Sequence, residues 1–236
     1  MTITTTPPSL ATAMREGSKA EHKAAESSSY MAELLDGRLN ERGYFDLLLR
    51  LRVVYEAMEA AATDHAADPL VAAVRDVDLE RLAAIDADLA YWAERLGVDV
   101  ADELAALDSP AALAYRDRLL AAGSEAAAGW GGSLAAHHYT RYLGDLSGGQ
   151  AIGRILSRTF DLDGAGVAFY DFAAISKPKP YKDAYRARLD ALGLDDAGVR
   201  RVVEEVKVAF GLNQALFTEL GANLPTYRRP AGALGG

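Results

Sequence analysis

Cysteine is absent from all 236 residues. That excludes disulfides, cysteine-ligated zinc, iron–sulfur clusters and thiolate nucleophiles together. An excess of positive charge is missing too: 25 lysines and arginines against 34 acidic residues leave a net charge of −9. Such a balance argues against a nucleic-acid binder with a broad basic surface. No stretch approaches the roughly 20 apolar residues that span a bilayer. The opening MTITTTPPS lacks the basic start and apolar run of a secretory leader. The expectation is a soluble, cytoplasmic protein with no membrane anchor and no nucleic-acid partner. Alternating strand patterns are missing as well, which leaves helix as the dominant element.

What is present is a series of alanine- and leucine-rich windows with helical spacing. Ser109 and Pro110 read as an N-cap and first-turn proline, with Gly123 closing that helix. Asp78 opens a second helix that Gly97 ends, Asn40 precedes a run to about Thr63, and Asp195 precedes one to about Leu220. Residues 10 to 29, about 133 to 158, and 180 to 192 complete the set. The longest breaks, 64–77 and 161–179, show no composition shift. These patterns predict one all-α domain over 10–224, with flexible ends at 1–9 and 225–236.

On a helix over 10–29, Arg15, Lys19, His22 and Glu26 fall within roughly 60° of one another. The stripe reads either as a solvated face or as a metal-ligating imidazole flanked by cations that would pair with ligand carboxylates. The segment HHYTRYLGDLSGGQAIGRIL places Gly144, Gly148 and Gly149 inside a helical pattern. Each interior glycine costs about 1 kcal/mol relative to alanine, so about 3 kcal/mol must be offset. Gly144 and Gly148, one turn apart, leave bare backbone against which a flat object can lie, and they permit a kink. Arg141 and Asp145 share that face at i, i+4 and together can hold ordered water. Close helix packing is the alternative reading of the glycines. His137 and His138 point about 100° apart, so they form no chelating pair and are read as surface or packing residues. His65, near a helix end, is read as exposed.

The run from Tyr139 to Gln150, YTRYLGDLSGGQ, resembles the distal-helix signature of the heme oxygenases. Lys19-Ala20-Glu21-His22 resembles that family's proximal helix, and Tyr55 in LRVVYEAMEA resembles a distal-pocket tyrosine. Tyr181 to Arg186 resembles a propionate-binding stretch, and Phe210 and Asn213 in KVAFGLNQALF resemble residues lining the distal pocket. The resemblance implies a single all-α heme oxygenase-like domain, with heme between a proximal helix and a kinked, glycine-rich distal helix. It implies that His22 binds the iron and that Asp145 anchors a distal water network extended by Arg141, Tyr55 and Asn213. Gly144 and Gly148 would steer dioxygen toward a ring edge. Arg15, Lys19, Lys182 and Arg186 would hold the propionates, while Glu26, Tyr139, Ser147, Gly149 and Phe210 complete the heme contacts.

The implied reaction is the opening of heme b, at once cofactor and substrate, to biliverdin. Dioxygen is the co-substrate, ferrous iron and carbon monoxide are released, and the α-meso carbon is the default position. The basic residues around Arg15–Lys23 and Lys177–Arg188 form a local positive face that would receive an acidic electron donor, a ferredoxin or a flavin-containing reductase. A heme carrier or sensor would use the same His22 and basic clamp. A di-iron carboxylate bundle would need Glu-x-x-His repeats, and no histidine here follows a glutamate by three residues.

Overall fold

Asn40, Asp195 and Ser109 start helices because each side chain accepts a backbone N–H three residues on, at 2.9, 2.7 and 3.2 Å. The computed structural model describes residues 9–229, which form one helical domain with no strand among them. In chain order the helices are α1 (Leu10–Gly17), α2 (Lys19–Glu26), α3 (Ser29–Leu35), α4 (Glu41–Asp64), α5 (Pro69–Val74), α6 (Leu82–Leu96), α7 (Val100–Ala105) and α8 (Pro110–Ala127). They continue with α9 (Gly132–His138), two π-helical turns (Tyr139–Leu143 and Asp145–Gly149), α10 (Gln150–Phe160), α11 (Pro178–Asp190), α12 (Asp196–Ala222) and α13 (Leu224–Tyr227). The long helix α4 packs on α6 and α8, while α12 lies across α9, α2, α8 and α3. Glu219 of α12 ties this arrangement together, taking Arg50 of α4 at 2.8 Å, the Ser109 hydroxyl at 2.5 Å and the Ala111 amide at 2.9 Å.

Several boundaries differ from those read in the sequence, each for a tertiary reason. The helix expected over 10–29 is two helices. Gly17 meets α12 so closely that a Cβ there would stand 2.6 Å from Val203 Cγ1. The chain turns at Ser18, whose hydroxyl donates to Met14 O at 2.7 Å. Gly123 does not end α8. It lies where α8 crosses α4, with a Cβ position 3.7 Å from Ala61 Cβ, and the helix runs on to Ala127. Helix α6 begins at Leu82 and not at Asp78, because Glu59 of α4 caps it from outside: one carboxylate oxygen accepts the Arg81 and Leu82 amides at 2.6 and 3.1 Å. Gly97 closes α6 in the left-handed conformation, φ 67°, as expected.

The expected tail from 225 starts too early. Tyr227 is buried and its hydroxyl donates to Asp46 Oδ2 at 2.5 Å, Arg228 bridges to Leu39, and Arg229 N donates to Arg38 O at 2.8 Å. The packed chain therefore extends to residue 229. The expectations for 1–8 and 230–236 lie outside the described residues.

Candidate functional site

One cavity of about 740 Å³ opens among α2, the π-helical stretch and α12. That is well within the roughly 300–1,000 Å³ of small-molecule sites. Its apolar wall includes Leu47 and Leu51 of α4, Ile152 of α10 and Phe217 of α12. Although Ser18 separates α1 from α2, the cavity still collects Arg15, Lys19, His22 and Glu26 at one side. The His22 side chain is 51% exposed, and Glu26 Oε2 stands 3.4 Å from its Nδ1. With Nδ1 so engaged, Nε2 is the nitrogen left to bind a ligand. Phe210, expected in the distal pocket with Asn213, instead packs edge-on to the His22 ring, with centroids 5.2 Å apart. It supports the imidazole and lines the cavity from that side. Among the described residues no group of three histidines or carboxylates could hold a bare metal ion. A metal bound by His22 would need its other ligands from elsewhere, as a macrocycle supplies them.

The second side is the glycine-rich stretch. The sequence pattern points to a kink; the helix continues from Gly132 to Phe160 but unwinds into two π turns, a feature common at functional sites. Gly144 has ordinary helical angles, φ −63° and ψ −53°, so its value is space and not backbone freedom. A Cβ at Gly144 or Gly148 would meet nothing within 4 Å, and both positions line the cavity. Gly149 serves a different purpose: a Cβ there would come within 2.7 Å of the Tyr170 ring, and one at Gly153 within 3.2 Å of Tyr170 Cβ. Gly144 and Gly148 leave open space in the cavity, while Gly149, which also lines it, and Gly153 seat Tyr170.

Asp145 lines the cavity beside Gly144. Its Oδ2 accepts a short hydrogen bond from the Tyr55 hydroxyl, and its Oδ1 lies 3.6 Å from Arg141 Nη2. Arg141 also donates from Nε to Tyr55 Oη at 3.1 Å and from Nη1 to Asn213 Oδ1 at 2.8 Å. Burial raises the Asp145 carboxyl above its usual range, against the pull of Arg141 and the Tyr55 bond. All four residues read as a distal network are thus brought together, though Tyr55 sits behind Asp145 and does not line the cavity. At the mouth, Arg15, Lys19, Tyr139, Ser147 and Arg186 line the cavity, and Arg186 is shared with Asp183 at 3.2 Å. Lys182 does not line it; its Nζ donates to Ser147 Oγ at 2.9 Å, tying α11 to the glycine-rich stretch.

His137 and His138 are buried packing residues and not surface ones, and His65 is half-buried. His137 Nε2 meets Glu205 at 2.8 Å, while Arg118 grips the same carboxylate through Nε and Nη2. Burial alone would raise Glu205, but these partners hold it down to about 2. His138 Nδ1 faces the Tyr185 hydroxyl at 2.9 Å. Burial, with Arg188 and Arg75 adding to it, lowers His138 to about 3. An unfolded histidine titrates near 6.5. Between those values the unfolded chain binds the extra proton, so stability is full above about pH 6.5 and falls as pH drops, by at most about 1.4 kcal/mol per unit from this residue. Denaturation midpoints of the wild type should decline from pH 6 to 4 more steeply than those of His138→Gln. Equal slopes would show that His138 takes up its proton equally in the folded and unfolded states, contradicting its lowering by burial.

Phe169 and Tyr170, which also line the cavity, come from the 161–179 loop and carry no periodic signal. The pair Gly149 and Gly153 is the one sequence hint that something large packs there.

The heme oxygenase family model matches residues 8–219. Heme oxygenase 1 of a Nostoc species is 38% identical, over 91% of this chain and 87% of its own length. The crystal structure of heme oxygenase-1 from the cyanobacterium Synechocystis in complex with heme superposes with a TM-score of 0.84 at 34% identity, covering 93% of this chain and 95% of that one. The heme oxygenase of Leptospira interrogans gives 0.81 at 34% identity, with 90% and 100% covered. With a model match over nearly the whole chain, the chain belongs to the heme oxygenase family.

Proposed function

We propose that the chain is a heme oxygenase that holds heme b in this cavity and opens it to biliverdin, with release of ferrous iron and carbon monoxide. The observation that carries this reading is the union, in one cavity, of a ligand-ready imidazole, a bare glycine strip and a carboxylate held by Tyr55 and Arg141. The residues fit the group. Leu47, Leu51 and Phe217 suit an apolar macrocycle, the open space over Gly144 and Gly148 accepts a flat edge, and Arg15, Lys19 and Arg186 suit its carboxylates.

When bound, heme supplies the iron at which dioxygen is reduced and is itself the substrate. His22 would hold the iron through Nε2, with Glu26 fixing the ring's orientation through Nδ1. Asp145 Oδ1, not used by Tyr55, would orient a water that carries protons into the cavity. Electrons would come from an acidic ferredoxin or a flavin-containing reductase that meets the basic mouth. No helix among the described residues is long and apolar enough to cross a membrane, in keeping with a cytoplasmic location.

The test is a hemin titration followed by reduction in air. A stoichiometric complex whose Soret band decays to chromatographically identified biliverdin supports the enzyme. A stable complex that never degrades would make the chain a carrier or sensor.

A further inference from the structure

Helix α6 contributes no side chain to the cavity lining, yet one of its faces holds the wall that does. Arg81, the residue just before α6, and Asp88 and Trp92 within it recur at i, i+7 and i+11, along one side of the helix. All three grip the main chain of 166–171. Asp88 Oδ1 accepts the Ala168 amide and Oδ2 the Phe169 amide, both at 2.8 Å. Trp92 Nε1 donates to Gly166 O at 2.7 Å, and Arg81 Nη1 donates to Asp171 O at 2.6 Å. Gly166, at φ +86°, lies so close to α6 that a Cβ would stand 2.6 Å from the Tyr91 ring. The segment has one seat.

What is seated is the backing of the distal network. The Phe169 ring stands 5.5 Å from Tyr55 on one side, and Tyr142 stands 5.5 Å from it on another, both edge-on. Between them Tyr55 directs its hydroxyl to Asp145. Tyr170, the next residue, fills the space beneath Gly149 and Gly153 and lies close enough for the Asp145 charge to act on its hydroxyl. A shift of 168–170 would therefore move both the tyrosine that bonds Asp145 and the support of the glycine-rich helix.

Asp88 is an unusual anchor. It is 1% exposed, and the titratable groups facing it are two phenols, Tyr44 of α4 and Tyr170. Its charge is met by two amide N–H groups, and burial pushes it up to about 6. A carboxylate presents two acceptors to successive amides; an asparagine would present one acceptor and turn a donor against the other amide.

We propose that Asp88 is a positioning residue for the reaction: by holding the Ala168 and Phe169 amides it sets the placement of the Tyr55 hydroxyl and, through it, of Asp145. The proposal rests on the heme oxygenase reading above. Asp88→Asn and Phe169→Leu test it, the second removing the ring against Tyr55 while leaving the Asp88 hydrogen bonds in place. In the heme-free protein, the indole N–H resonance of Trp92, assigned by its loss in Trp92→Phe, should move in Asp88→Asn while the helical circular dichroism stays constant. In the hemin complexes of both variants the single-turnover rate should fall about tenfold or more, and in Asp88→Asn, whose side chain does not line the cavity, hemin affinity should stay within about threefold. The pH at which the ferric absorption spectrum changes should shift by about half a unit or more, since it reads the hydrogen bonds around the iron site.

Full-rate turnover and an unmoved spectral transition in folded Asp88→Asn would overturn the proposal. If that variant does not fold, the same null result in Phe169→Leu overturns it. A wild-type complex that makes no biliverdin would defeat the heme oxygenase reading itself, whatever the indole resonance shows.

Discussion

Replacing His22 by alanine should cut the single-turnover rate of biliverdin formation by at least about 100-fold. Loss of a group that only orients a ligand costs about 10–100-fold, and His22 is placed as the ligand itself. The fold should not suffer. His22 is half-exposed on α2, with Glu26 at 3.4 Å and Phe210 as its ring neighbour, so the truncation opens space toward the cavity and not within the core. The heme-free variant should therefore melt with the wild type. Hemin should still enter, held by the apolar walls and the cations at the mouth, but with a changed absorption spectrum. Free imidazole added to the His22→Ala complex should restore both the spectrum and part of the turnover. A variant that degrades hemin at the wild-type rate without imidazole would place the iron ligand elsewhere.

Asp145→Asn should lower turnover by about 10²–10⁴-fold, the usual contribution of a positioned proton-transfer group, with hemin affinity within about threefold. Asparagine keeps the volume beside Gly144 and can still accept from the Tyr55 hydroxyl. It loses the negative charge that sits 3.6 Å from Arg141. Alanine is the poorer choice, because it leaves the buried Arg141 guanidinium with Tyr55 and Asn213 alone, and the cost of that burial would cloud the kinetics. Rate constants from stopped-flow reduction in air, beside equilibrium hemin titrations, separate the two effects. An equal loss in affinity and rate would make Asp145 a binding residue.

The parts of the site written within one helix are legible in the sequence alone. Gly144, Arg141 and Asp145 share a face by spacing, and the cost of interior glycine demands an offset. The cavity-facing Gly144 and Gly148 provide it. His22, Lys19 and Glu26 likewise sit within one short helix. What was illegible depends on other elements. Nothing near Gly17 announces Val203, so the break at Ser18 does not show in the periodicity. Nothing near Leu82 announces Glu59, 23 residues earlier, as its cap. Phe210 shares a helix with Asn213, yet its ring turns to His22 while Asn213 meets Arg141. Phe169 and Tyr170 lie in an aperiodic loop whose course is set by Asp88 and Trp92, so neither residue's role exists until α6 is in place.

The most direct test of the account is the structure of the hemin complex. It should show iron on His22 Nε2, with Nδ1 still paired to Glu26. One edge of the macrocycle should lie over Gly144 and Gly148, and the carboxylates should meet Arg15, Lys19 or Arg186. Hemin ligated by any other residue, or lying away from the glycine strip, would contradict it.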